Sequence, residues 1–312
     1  MNPVWATCFG EFLGTLLLVF FGTATVAVAV LFDAVSGLVQ VAAVWGVGVT
    51  LAIYATRHLS CAHLNPAVSL GMVLAGRMKP RLLLPYWGFQ LAGAMAAGGL
   101  VLLIFHPAIA GYEAAHGIVR GSPASVRTAM LFGEYFPNPG IHPPWFEVSM
   151  ATAMLVEGAG TFLLVTLIFL LTEGCNVGRP GDLLAPVFIG ATVGALIAVS
   201  APFTQTGINP ARDLGPRIVS YLAGWDAVAI PGPRGGFFSV YILAPLLGGA
   251  TAAACFRCVL APAMAAKSSV PSCTCAADAE LPQLGNSDAA METMAADDDA
   301  SPCCSCTDPT DR

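Results

Sequence analysis

Ala62-His63-Leu64-Asn65-Pro66-Ala67 and Asn209-Pro210-Ala211-Arg212-Asp213-Leu214-Gly215-Pro216-Arg217 decide how this chain folds. Each places Asn directly before Pro, which marks a helix start: Asn caps, and proline at the first helical position loses no hydrogen bond. The helix after the first box is short. Asn65–Gly76 carries no charge and is closed by Arg77, Lys79 and Arg81. Such a segment falls well below the roughly 20 residues that cross a bilayer. It suits a helix that enters the membrane and turns back.

Working outward, each box has an upstream companion. Glu11-Phe12-Leu13-Gly14-Thr15 and Glu157-Gly158-Ala159-Gly160-Thr161 both read E-x-x-G-T and both run into apolar helix. Asn65 follows Glu11 by 54 residues and Asn209 follows Glu157 by 52. The chain is therefore one unit written twice. Uncharged stretches of spanning length lie at Phe12–Phe32, Val35–Thr56, Leu82–Phe105, Leu183–Phe203 and Gly235–Phe256, with Val148–Leu171 interrupted only by Glu157. Three spans per half invert the second half relative to the first, an arrangement that puts a substrate pathway between the halves. The expected fold class is an all-α membrane protein with six transmembrane helices and two re-entrant half-helices. The two half-helix N-termini are expected to meet near the midplane.

Composition agrees. Charged residues make up 10% of the chain, against about 25% in soluble domains, and the mean hydropathy is +0.74. The first span lacks a basic leader and is too long for a signal peptide. The net charge of −6 is concentrated at the end. Nine acids and two bases lie in 262–312, leaving the rest at +1. We expect a channel domain over 1–261, with repeats at about 5–105 and 148–260, and a disordered acidic tail over 262–312. The tail holds Cys273, Cys275, Cys303, Cys304 and Cys306; free thiols, lipidation and metal binding stay open for them. With both termini in the cytoplasm, Arg57, Arg77, Lys79, Arg81, Arg179, Arg257 and Lys267 fall inside, the sign the positive-inside rule requires. His106–Phe146 reads as a long external loop, expected to cover a vestibule or touch a neighbouring subunit.

Two Asn-Pro-Ala boxes, each following E-x-x-G-T, resemble the aquaporin superfamily over about residues 5–260. Asp213 and Arg217 resemble its glycerol-facilitator branch, as do Ile118-Val119-Arg120-Gly121-Ser122, Pro137-Asn138-Pro139 and Leu222-Ala223-Gly224-Trp225. The resemblance implies a right-handed six-helix bundle, one pore per protomer and a homotetramer in the lipid bilayer. It places Arg212 and Trp45 in an outer constriction, with Ile197 and Thr206 as the other two selectivity positions. These two depart from the branch, which carries Gly and a second aromatic there. The set Trp/Ile/Thr/Arg is closer to that of plant nodulin-like channels. The resemblance also implies that Glu11 and Glu157 hold the half-helix loops, and Cys61, four residues before Asn65, is a candidate pore thiol. Blander alternatives stand beside these: helix caps for Asn65 and Asn209, packing for Trp45, an ion pair with Asp213 for Arg212.

The function expected is a passive channel for glycerol, water and other small neutral solutes in a plasma or inner membrane. Two helix starts aimed at one another repel cations and protons. Urea, ammonia or metalloid acids are the alternative solutes. An ion-coupled transporter would need a free carboxylate, and Glu11 and Glu157 are the only acids deep in spans. A junction protein on the same scaffold would conduct nothing. No enzyme motif is present: His58 and His63 are spaced wrongly for two ligands on one helical face, and neither H-E-x-x-H nor G-x-S-x-G occurs. No cofactor, metal or nucleic acid is expected.

Overall fold

The computed structural model describes residues 3–268 except 36, 142 and 144. Its main helices are α1 (Pro3–Phe32), α2 (Leu38–Ser60), α3 (Pro66–Leu74), α4 (Leu83–Ala115), α5 (Met150–Thr172), α6 (Ala185–Thr204), α7 (Pro210–Ser220) and α8 (Ala244–Cys255). π-helical turns at Phe238–Leu243 and Phe256–Leu260 extend α8 at both ends. Six of these helices are long and apolar enough to cross a membrane, and no strand occurs among the described residues. α3 and α7 are the short ones, as the boxes require.

The repeat is physical. α1 packs on α2 and α4, and α5 packs on α6 and α8 in the same pattern. The half-helices cross over: α3 lies against α8 and α7 lies against α4. Each half therefore completes the other. Lipid gives helices no hydrophobic reason to associate, so close packing through small residues must do it. Two of the tightest crossings sit at equivalent places. A Cβ on Gly93 of α4 would stand 2.2 Å from the Phe12 carbonyl oxygen of α1, and one on Gly248 of α8 would stand 2.2 Å from that of Gly158 in α5. Phe12 and Gly158 each follow the repeated glutamate.

Three expectations shift. α4 runs through Pro107 to Ala115 instead of stopping near Phe105. Ile109 is fully buried, and Glu113 is tied to Arg120 and to the Thr128 hydroxyl; these contacts carry the helix past the proline. The external loop is correspondingly shorter. At the other end, Ala261–Ser268 is helical, so the expected disordered tail does not begin at 262. Residues 269–312, with the tail cysteines, lie outside the described residues.

Gly93→Val would drive a side chain into backbone that cannot retreat. We expect a loss of about 1–3 kcal/mol, read as a lowered unfolding midpoint in detergent. Gly99→Val, with open space at its Cβ, should stay within roughly 0.5 kcal/mol.

Candidate functional site

The site is built on two loops with the same backbone. Cys61, Ala62 and Leu64 before the first box have φ of 64, 51 and 53°. Gln205, Thr206 and Ile208 before the second have φ of 60, 70 and 43°. Counted from Asn65 and Asn209, these are the same positions. Left-handed backbone in residues other than glycine costs of the order of 1–3 kcal/mol each, so something must hold it.

Glu11 and Glu157 do. Glu11 Oε1 accepts from the His63 N–H at 2.9 Å and Oε2 from the Leu64 N–H at 2.7 Å. Glu157 Oε1 accepts from the Gly207 N–H at 2.8 Å and Oε2 from the Ile208 N–H at 2.6 Å. Gln90 Nε2 also donates to Glu11 Oε2, at 2.7 Å. Both carboxylates are fully buried. A buried charge is tolerated when hydrogen bonds satisfy it, and here backbone amides supply them.

The boxes then meet. Asn65 Oδ1 caps α3 by accepting from the Ala67 N–H at 2.9 Å. Asn209 Oδ1 caps α7 by accepting from the Ala211 and Arg212 N–H groups at 3.1 and 3.2 Å. The amide nitrogens reach across. Asn65 Nδ2 donates to the Ile208 carbonyl at 2.9 Å, and Asn209 Nδ2 donates to the Leu64 carbonyl at 2.8 Å. Each side-chain amide has two N–H donors, so one on each is left over.

Asn65 and Asn209 line one cavity together with Trp45, Ile197, Thr206 and Arg212. The sequence-selected positions are thus brought together. Apolar side chains including Leu18, Val49, Val68, Leu164 and Val193 form much of its wall, and Arg57, His58, His63, Arg77 and Asp182 also border it. The Arg212 guanidinium carbon sits 4.0 Å from the Trp45 ring centroid, a cation–π distance. Gly22 makes room for that ring: a Cβ there would lie 2.2 Å from it. The Thr206 hydroxyl bonds that of Ser200 at 2.9 Å.

Asp213 and Arg217 lie elsewhere, as a buried bidentate pair. Arg217 Nε donates to Asp213 Oδ2 at 2.9 Å and Nη2 to Oδ1 at 2.7 Å. Arg217 Nη1 donates to the Ala229 carbonyl at 2.8 Å. The alternative pairing of Arg212 with Asp213 is therefore not formed: Arg212 Nη1 pairs with Glu134 Oε1. Glu134 was not selected from sequence. Its one signal there is a lone acid within the otherwise uncharged Thr128–Glu134–Pro144 stretch. His63, considered above only as a metal ligand, lines the cavity with its Nδ1 3.3 Å from the Ser69 hydroxyl. Cys61, the candidate pore thiol of the sequence, also lines the cavity.

Comparison with known proteins agrees with this geometry. The chain belongs to the major intrinsic protein family, whose model matches residues 2–256. It is 40% identical over 259 residues to the glycerol uptake facilitator protein of Pseudomonas aeruginosa, covering 83% of this chain and 90% of that one. It is 39% identical over 251 residues to the glycerol uptake facilitator protein of Escherichia coli K12, covering 80% and 86%. Against the propanediol uptake facilitator PduF of Citrobacter freundii it is 38% identical over 253 residues, covering 81% and 91%. The X-ray structure of the aquaglyceroporin from Plasmodium falciparum shares the fold, with a TM-score of 0.71 at 24% identity, covering 84% of this chain and 99% of that one. The protein is an integral multi-pass membrane channel.

Glu11→Gln or Glu157→Gln would turn one acceptor oxygen into an NH2 group facing a backbone N–H. Each change should cost about 1–3 kcal/mol, seen as a lower melting temperature in detergent, because each loop depends on its own carboxylate.

Proposed function

We propose that this chain is a passive channel for glycerol and other small uncharged solutes, water included, with one pathway per protomer of a homotetramer. The observation that carries this is the reciprocal bonding of Asn65 and Asn209 at two facing helix starts on one cavity. Two helix N-termini present partial positive charge to the pathway, which repels cations and a migrating proton. The remaining amide N–H groups donate to a passing hydroxyl or water oxygen. A water held by two donors at once has its orientation set, and proton hopping along the file is interrupted.

Trp45, Ile197, Thr206 and Arg212 form the constriction. A flat apolar wall facing a donor suits a polyol, with carbon on one side and hydroxyls on the other. The names of the relatives point to the same solute class. Glu11 and Glu157 spend their oxygens on backbone amides, which supports a passive channel over one coupled to an ion. The many Arg and Lys residues near the face bearing the termini support a cytoplasmic placement of both ends, in a plasma or inner membrane. The opposite face is then the outer one, and the constriction lies towards it.

Stopped-flow swelling of proteoliposomes tests the reading with water, glycerol and urea. Thr206→Phe should lower glycerol flux relative to water flux by about tenfold, the factor that roughly 1.4 kcal/mol of added barrier produces. Equal loss for all solutes would remove Thr206 from the constriction. Wild-type glycerol flux should be unchanged by imposed pH or sodium gradients; dependence on either would favour a coupled transporter.

A further inference from the structure

The cavity has a basic end far from Arg212. Arg57 lies on α2 about 18 Å of helix beyond Trp45. Arg57, His58, His63 and Arg77 border the cavity, and Asp182 is the one acid among its described lining residues. That acid is already engaged. Arg57 Nη1 donates to the backbone carbonyl of Asp182 at 2.7 Å, while the Asp182 carboxylate pairs with Arg179. Arg77 reaches the Glu173 carboxylate only at 4.0 Å. On this face the described residues include Arg57, Arg77, Lys79, Arg81, Arg179 and Arg257 against Glu173 and Asp182, six bases to two acids. The last span ends beside this mouth. Arg257 Nη1 donates to the Leu74 carbonyl at 2.9 Å, and the Arg77 guanidinium carbon stands 5.7 Å from the Phe256 ring centroid. The Ala261–Ser268 helix follows, with Met264 packed on the cluster that holds the cavity residues Met72 and Ile168. Residues 269–312 come next in the sequence, with nine acids and one base.

We propose that the acidic run Asp297-Asp298-Asp299 of this chain's own C-terminal segment seats on the mouth formed by Arg57 and Arg77 and holds the pathway partly closed. The proposal rests on the channel reading above. Arg57 and Arg77 line the cavity itself, so a segment bound to them stands across its opening. Charge selects the segment, since this is the one run of three adjacent acids in the chain. Topology puts it on the correct side whichever way the protein inserts. Two spans return the chain to its starting face at Arg57, and six return it there at Arg257. Reach is ample. The stretch from Ser268 to Asp297 extends to roughly 95 Å, against about 30 Å for the core of a bilayer. Exposed ion pairs are individually weak, and the tether offsets this by raising the effective concentration of the segment. The closure is therefore partial and sensitive to salt. Cys303, Cys304 and Cys306 follow the run by four to seven residues, and Cys61 lines the same cavity, so docking brings sulfur near sulfur.

The test compares full-length wild type with the triple variant Asp297→Asn, Asp298→Asn, Asp299→Asn in proteoliposomes, with glycerol flux normalised to the protein incorporated. The triple variant should conduct about threefold faster, the effect of losing a few exposed charge pairs. Raising salt on both sides from about 0.1 to 1 M shortens the screening length from about 10 to 3 Å. It should bring wild type to the level of the variant and leave the variant unchanged. A second readout is independent of flux. Mild oxidation with diamide takes two electrons and two protons from a pair of thiols, and the diazene becomes the hydrazine. Peptide mass spectrometry should then find Cys61 joined to Cys303, Cys304 or Cys306 in wild type, and less so in the triple variant. Equal glycerol flux in the two proteins overturns the closure and leaves the channel standing. A salt response that persists in the variant gives the mouth to another anion, such as a lipid headgroup, and overturns the C-terminal segment as its occupant. Cys61 joined to none of the three in wild type does the same. Vesicles of both proteins that pass no glycerol would sink the channel reading itself, and this inference with it.

Discussion

A buried carboxylate gripping two consecutive backbone N–H groups, made once by Glu11 and once by Glu157, is the constraint on which the rest depends. Without it, neither loop has reason to keep three non-glycine residues in left-handed backbone. With it, the chain leaves a spanning helix, doubles back and starts a half-helix at a fixed place and angle. The grip also answers the question of how an ionised group survives in apolar surroundings. Amides that would otherwise be orphaned at the loop neutralise it, and both needs are met together.

From that grip the pathway follows by short steps. The Asn caps set the start of α3 and α7, and their spare amide nitrogens tie each box to the loop of the other. Position along α7 then puts Arg212 one turn beyond Asn209, over the face of Trp45. Trp45 itself can lie there because Gly22 opposite has no side chain. The solute chemistry proposed for this region thus rests on backbone geometry first and on side-chain identity second.

Much of this was legible in the order of residues, for a specific reason. Glu11 and Glu157, and Asn65 and Asn209, are written twice at nearly equal spacing, and duplication raises a weak local signal into a strong one. Trp45, Ile197 and Thr206 carry no such mark; they could be placed only by counting from a box or by resemblance. What stayed hidden depends on contacts distant in sequence. Pro107 looks like a helix end until Ile109 and Glu113 find their partners. Arg212 has an acid beside it in the chain, yet Asp213 is taken by Arg217 one turn on, while the carboxylate that reaches Arg212 comes from a loop some eighty residues earlier. Neighbours in sequence on a helix point in different directions, so adjacency was a poor guide there.

The crossed seating of the half-helices has a consequence for how the molecule is made. α3 rests on α8, the last spanning helix among the described residues, and α7 rests on α4. During synthesis the flank of α3 that faces α8 has no partner until that span emerges. The seat beside α3 is thus closed by a helix from the second half of the chain.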